Sequence, residues 1–394
     1  MKKMIQIIKT NIIGLGYYFI TTVFFFLIFK FRISTDIQTH IQILNEYLAK
    51  GYIPNPPLYY LAIYVVDLFA YGNLHFVVSS ILVLSFCCYL KFILVTKYLL
   101  KDEPDRNRLM IEIVAFSLMF ISPVFITLVD GKTVYLGKFT STIWHNSTTI
   151  FVFPICLWLF LESLNYLNTA NRFSYLKLFG ISILIVLSKP SFLFPFIVVF
   201  PIISVIKFGW QKTNFLKVLL FSIVILSLLI LQKSLIYQNS ALDKLIYNGQ
   251  QAKVIIAPFQ LWMSWTSHPV FSILTSFLFL ISVITLKPKY LKFNLEIGYS
   301  FCLLFTSLVI FFLFAESGPR FNHGNFYWQI PISVLIINMV IMKVIILPRL
   351  PTQLHYAMFK KQSLSNKLIL LIYSLHFFSG FVYIIKIIVD KDYT

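Results

Sequence analysis

An all-α bundle that crosses a membrane about eleven times is the fold this sequence predicts, on three observations. Of its 394 residues, 59% are apolar and only 12% charged, against roughly 45–50% and about 25% in soluble domains. The apolar residues gather in runs near the length of about 20 that a bilayer requires. A mean hydropathy of +0.83, with 42 Phe and 22 Tyr, leaves too little polar surface to cover a water-soluble globule. A cytosolic enzyme, a secreted disulfide scaffold and a disordered tail are excluded. The net charge of +19 would suggest nucleic acid in a soluble protein. Here, cytoplasmic loops rich in Lys and Arg explain it, and no nucleic-acid partner is expected.

The elements follow in order. Met1-Lys2-Lys3 and Lys9 precede an apolar run at 11–29. No small-residue cleavage site follows Phe29, so the run reads as an uncleaved first span. The segment 57–71 is apolar but short and follows Pro54-Asn55-Pro56-Pro57, which predicts an interfacial or re-entrant helix. Full spans are predicted at 74–96, 109–129 and 147–167. The stretch 178–206 is interrupted by Ser188-Lys189-Pro190-Ser191. It reads as two short helices meeting at a polar break, which is tolerated at membrane depth where it lines a cavity. The remaining spans are predicted at 218–236, 270–286, 295–315, 326–347 and 368–388. Cys87, Cys88, Cys156 and Cys302 all lie in apolar runs without CxxC spacing, and read as small hydrophobes.

Loop charge sets the expected topology. With a cytoplasmic N-terminus and 57–71 not crossing, 20 of the 33 Lys and Arg fall in cytoplasmic segments. Twelve fall at the opposite face, and Lys91 lies inside a span. This bias follows the positive-inside rule. The expectation is a multi-pass protein of the cell's inner membrane. Residues 1–394 form one transmembrane domain, with outer loops at 30–56, 130–146, 237–269 and 316–325.

The uncommon polar residues gather in those outer loops. The first carries Arg32, Asp36, His40 and Glu46; Asp36 and His40 are four apart and share a helix face. The second carries Asp130, Lys132, Lys138 and the run Trp144-His145-Asn146-Ser147-Thr148. Lys189 sits at the broken pair, where a lysine is costly unless it pairs or reaches water. The third loop holds Asp243, Lys253, Trp262, Trp265 and His268. The fourth runs Glu316-Ser317-Gly318-Pro319-Arg320-Phe321-Asn322-His323-Gly324-Asn325-Phe326-Tyr327-Trp328. A plainer reading stands beside each: a solvated helix face for Asp36 and His40, and an interfacial aromatic belt for the tryptophans. Asp67, Glu112, Glu162 and Glu296 read as interhelical hydrogen-bond partners or span-end residues.

A first span, an outer loop with an early acid (Ile33-Ser34-Thr35-Asp36-Ile37-Gln38-Thr39-His40), the stretch Gly51 to Tyr59, and about ten further spans resemble the GT-C superfamily of integral-membrane glycosyltransferases. The resemblance covers the layout of nearly the whole chain. It implies a polyprenyl-phosphate-linked sugar donor, an acceptor hydroxyl on a glycan, lipid or protein, and surrounding membrane lipids. In that family the first-loop Asp is the base, which falls on Asp36. His40 would orient Asp36 or act as a second proton acceptor. Arg320 suits the donor phosphate because its planar fork matches phosphate oxygens, with Lys189, His323 and His145 secondary. Trp144 and Trp328 would stack on a sugar ring, and Asn146, Asn325 and Glu316 would bind its hydroxyls. Many members carry a paired Asp-Asp or Asp-Glu in that loop; here Ile37 follows Asp36, and neither metal nor cofactor is expected. No Gly-rich phosphate loop or DxD motif suggests a nucleotide-sugar donor. Two alternatives remain: an O-antigen polymerase or ligase, and a transporter or flippase of a lipid-linked glycan. The first usually concentrates its polar residues in one large outer loop. The second predicts inverted repeats and charges at several depths.

Overall fold

Among the described residues, nine helices are long and apolar enough to cross a membrane. The computed structural model describes residues 12–69, 76–101, 108–131, 135, 137–238, 253–291, 294–349 and 363–391. The lysines before Ile12, with Lys132, Asp243, Lys360 and Lys361, lie outside the described residues. In chain order the helices are α1 (Ile12–Lys30), α2 (Asp36–Ala49), α3 (Leu58–Asp67), α4 (Val77–Leu100) and α5 (Arg108–Leu118). There follow α6 (Ser147–Thr169), α7 (Arg172–Val186), α8 (Leu193–Phe208) and α9 (Lys212–Gln238). The last are α10 (Gln260–Trp265), α11 (Pro269–Leu286), α12 (Leu295–Leu313), α13 (Gln329–Ile341) and α14 (Leu364–Asp390). The chain is a multi-pass helical membrane protein.

Local chemistry sets many helix starts. Asn146, Asn171 and Asn294 accept backbone N–H bonds from Thr149, Phe173 and Ile297 at 3.0, 2.9 and 3.0 Å. These side chains occupy N–H groups that a helix start leaves unpaired. Thr35 and Gln38 form a capping box on α2, which fixes Asp36 as its first residue. The bundle packs α1 on α4, α4 on α6, α6 on α7, and α12 on α13. α13 is its axis: the stretch Gln329–Ile346 is 94% buried and mostly apolar, as an enclosed helix is, with the Ser333 hydroxyl 2.8 Å from that of Ser307 and the Lys343 ammonium 3.6 Å from Glu296.

Two predicted segments differ in form, and the polar break does not. The run 57–71 becomes only α3, ten residues long. Its first turn sits inside the bundle, with Tyr59 5.4 Å from Phe151, while Asp67 at its end accepts from Ser79 in the first turn of α4. At ten residues it is too short to cross a hydrocarbon core of about 30 Å. The polar break appears as expected, as a 3-10 turn at Pro190–Phe192 between α7 and α8. The carbonyls left by the break are used: Val186 accepts from Gln232 and Leu187 from the Leu58 N–H.

The predicted span 109–129 is corrected. Helix α5 ends at Leu118, and residues 121–126 are not helical before the single turn Thr127–Asp130. Pro123 has no N–H and disfavours helix at Ser122. Neighbouring helices supply the missing partners: Ser122 N–H donates to the His376 carbonyl at 3.1 Å and Val124 N–H to the Thr275 carbonyl at 3.0 Å. The Ser379 hydroxyl accepts from Phe125 N–H at 3.1 Å and donates to the Pro123 carbonyl at 2.5 Å. Non-helical backbone is tolerated at this depth only when so buried. At the other end of the bundle, Glu296 accepts from the Tyr98 hydroxyl at 2.5 Å and lies 3.6 Å from the Lys343 ammonium. This ties α4 and α12 to the π turn Met342–Ile346 that follows α13.

Candidate functional site

The polar loops converge on one cavity of about 1030 Å³. Asp36 and His40 reach it from α2, and His145 and Asn146 from the start of α6. Lys189 enters from the break, and Glu316, Arg320, His323, Asn325 and Trp328 from the turn between α12 and α13. A two-stranded antiparallel pairing, Val254–Ile256 with Phe314–Glu316, holds that turn, with Val254 opposite Glu316. Gly318 (φ +65°) and Pro319 then bend the chain into a 3-10 turn, where Arg320 is buried.

Asp36 is anchored by the backbone. Its Oδ1 accepts the Ser147 N–H at 2.8 Å, at the N-terminus of α6, where the helix dipole favours a negative charge. Its Oδ2 lies 3.8 Å from His40 Nε2, too far for a hydrogen bond. His40 thus does not orient Asp36; the Ser147 N–H does. The second ring nitrogen of His40 contacts the Tyr60 hydroxyl at 2.6 Å. Asp36 keeps 27% of its side-chain surface open to the cavity, yet protein surrounds it. That burial raises its carboxyl above the ordinary range, against the lowering pull of the Ser147 N–H and the Lys189 ammonium.

Lys189 is held by Asn146 Oδ1 at 2.8 Å and Thr148 Oγ1 at 3.0 Å, with its ammonium 4.7 Å from the centre of the Trp328 ring. Burial lowers its ammonium below the ordinary range, while Asp36 and Glu316 pull it back up. Asn146 Oδ1 also receives the Thr149 N–H at 3.0 Å. Its carbonyl oxygen is thus committed to the helix cap and the lysine, which leaves its Nδ2 for any further contact.

Two expectations change on electrostatic grounds. Burial, then the charge of Lys189, lowers both His40 and His145 to about 3. Burial also lowers His323, opposed by Glu316. The histidines are neutral near pH 7 and serve as hydrogen-bonding groups. The cationic charge aimed into the cavity rests on Lys189, Arg320 and Lys233. Trp144 does not line the cavity. It is 2% exposed and packs 5.2 Å from Phe24 and 5.9 Å from Phe120, as a core residue.

Sequence reasoning missed several wall residues. Trp265 lines the cavity between two glycines; a Cβ on Gly324 would meet its ring at 2.3 Å, and one on Gly137 its carbonyl oxygen at 2.9 Å. Tyr60, Tyr135 and Tyr327 supply further aromatic wall. Gln232 and Lys233 line it from α9, and a polar pair in so apolar a run was the available signal. The cavity also has an apolar arm, formed by Phe194, Ile197 and Val198 of α8 and Leu226, Leu229 and Ile230 of α9. Val198, Leu226 and Ile230 are 48%, 48% and 57% exposed on the outside of the bundle. The arm therefore reaches the membrane-facing surface between α8 and α9.

Fold and site define a polytopic membrane protein with a charged cavity that opens sideways through an apolar arm. The sequence matches no family model, and no curated protein matches it.

Proposed function

We propose that this protein is a membrane glycosyltransferase that moves a sugar from a polyprenyl-phosphate-linked donor to an acceptor hydroxyl. One observation carries the reading: Asp36, Lys189 and Arg320 share a cavity whose apolar arm reaches the lipid-facing surface. A lipid-linked substrate needs that combination of a charged chamber for its head and an apolar path for its tail. In the reaction, Asp36 Oδ2 takes the proton of the acceptor hydroxyl. The hydroxyl oxygen bonds to the anomeric carbon as the bond from that carbon to the phosphate oxygen breaks. The charge developing on the leaving phosphate falls on Lys189 and Arg320. In this reading Trp328 and Asn325, which line the cavity, contact the sugar, and the reaction face is the non-cytoplasmic one. The test is transfer in vitro from a panel of polyprenyl-phosphate sugars, comparing wild type with Asp36→Asn at matched expression. Transfer lost in the variant supports the reading; near wild-type transfer in the variant removes Asp36 as base.

A further inference from the structure

A second cavity of about 1040 Å³ lies apart from the first, along the outer face of α4 and α6. It exists because α3 is too short. At a rise of 1.5 Å per residue, ten residues extend about 15 Å, half of a hydrocarbon core of about 30 Å. α3 therefore covers α4 only as far as the level of Tyr59 and Phe151. Beyond it, Leu90, Ile93 and Leu94 of α4 face Pro154, Ile155 and Trp158 of α6 across an open groove. Along α4 the lining runs from Leu82 to Lys97, about 22 Å of helix.

The groove is apolar until its last residue. Lys97 closes it at the end of α4 remote from Asp67 and Ser79. Lys101 follows one turn later, on the same helix face. Both lysines are exposed, and among the described residues neither has an ion-pair partner. A pair of cations at the mouth of a long apolar groove matches the charge and shape of an anionic phospholipid. A partner helix would fit poorly, since helices approach closely over small residues. Leu, Ile, Val and Phe dominate this lining, and Ala62 is its lone alanine.

We propose that the groove beneath α3 binds one anionic phospholipid, with an acyl chain along Leu82–Leu94 and its phosphate on Lys97 and Lys101. The lipid completes the bundle where α3 stops, in the leaflet opposite the charged cavity. The site does not depend on the proposed sugar transfer.

The test is native mass spectrometry of the full-length protein in detergent, with phosphatidylglycerol or phosphatidylcholine of identical chains. Wild type should retain one phosphatidylglycerol in preference to phosphatidylcholine. Lys97→Gln, at an exposed position, should fold normally and bind phosphatidylglycerol roughly fivefold more weakly, with phosphatidylcholine unchanged. Phosphatidylglycerol brominated on its acyl chain should quench the fluorescence of Trp158, read as the difference from Trp158→Phe. Equal retention of the two lipids, or no effect of Lys97→Gln, overturns the proposal. So does a disulfide between two copies carrying Leu94→Cys with no lipid adduct, which would mark the groove as a protein interface.

Discussion

Asp36 and Lys189 illustrate how surroundings prepare a residue for chemistry. A carboxylate raised by burial is a better base near neutrality than one at its ordinary value of about 3.9. Asp36→Asn keeps the shape and the Ser147 contact and removes the base, so transfer should fall by about 10²–10⁴ while membrane insertion is unchanged. Arg320→Lys keeps charge but loses the fork, and should lower kcat and raise KM together. The pH profile follows from the directions of the shifts. Asp36 must be deprotonated, so activity rises with pH through an acid limb above about 3.9. Lys189 must be protonated, so activity falls through an alkaline limb below its ordinary value of about 10.4. Lys189→Arg stays charged and should move the alkaline limb upward; an unmoved limb assigns that proton to another group. These residues were legible because a charge in so apolar a chain stands out. Trp144 and Trp265 were not, because tryptophan reads alike in a core, a cavity wall and a membrane belt.

Among the elements, hydropathy located the spans well and their interiors poorly. The stretch 109–129 is mostly apolar apart from Glu112 and the Ser122-Pro123 pair, and an apolar run does not say whether its backbone bonds to itself or to neighbours. Here the partners are Thr275, His376 and Ser379, more than a hundred residues downstream. His376 serves both sides: its Nδ1 contacts the Ser122 carbonyl at 2.8 Å, and its Nε2 accepts the Phe279 N–H at 3.2 Å, just past the kink at Phe277 in α11. α14 comes so close to this segment that a Cβ on Gly380 would lie 1.5 Å from the Phe120 carbonyl oxygen. Gly380→Ala should therefore destabilise the protein by about 1–3 kcal/mol or more, seen as a lower Tm in detergent. Gly16→Ala, with open space around it, is the control and should leave Tm unchanged.

For the whole molecule, the loop-charge bias and the convergence of the polar loops lead to one expectation about orientation. Single cysteines at Asp36, Asn146, Lys189 and Arg320 should all be labelled from the same, non-cytoplasmic side. Labelling of positions 36 and 146 from opposite faces would refute both topology and site. That convergence was only partly legible, since it depends on which loops the short helices α2 and α3 draw inward. The enclosure of α13 has a further consequence, for how the protein is made. The helix at the axis leaves the ribosome after α5, α6 and α12, yet all three pack around it. α6 and α12, like the axis helix, are apolar enough to enter the bilayer alone, so insertion and assembly are separate stages. The earlier helices must then wait in the bilayer around a gap filled by lipid, and close only once residue 329 has emerged. Nascent chains arrested before that point should remain open to membrane proteases, and those arrested past residue 346 should become resistant.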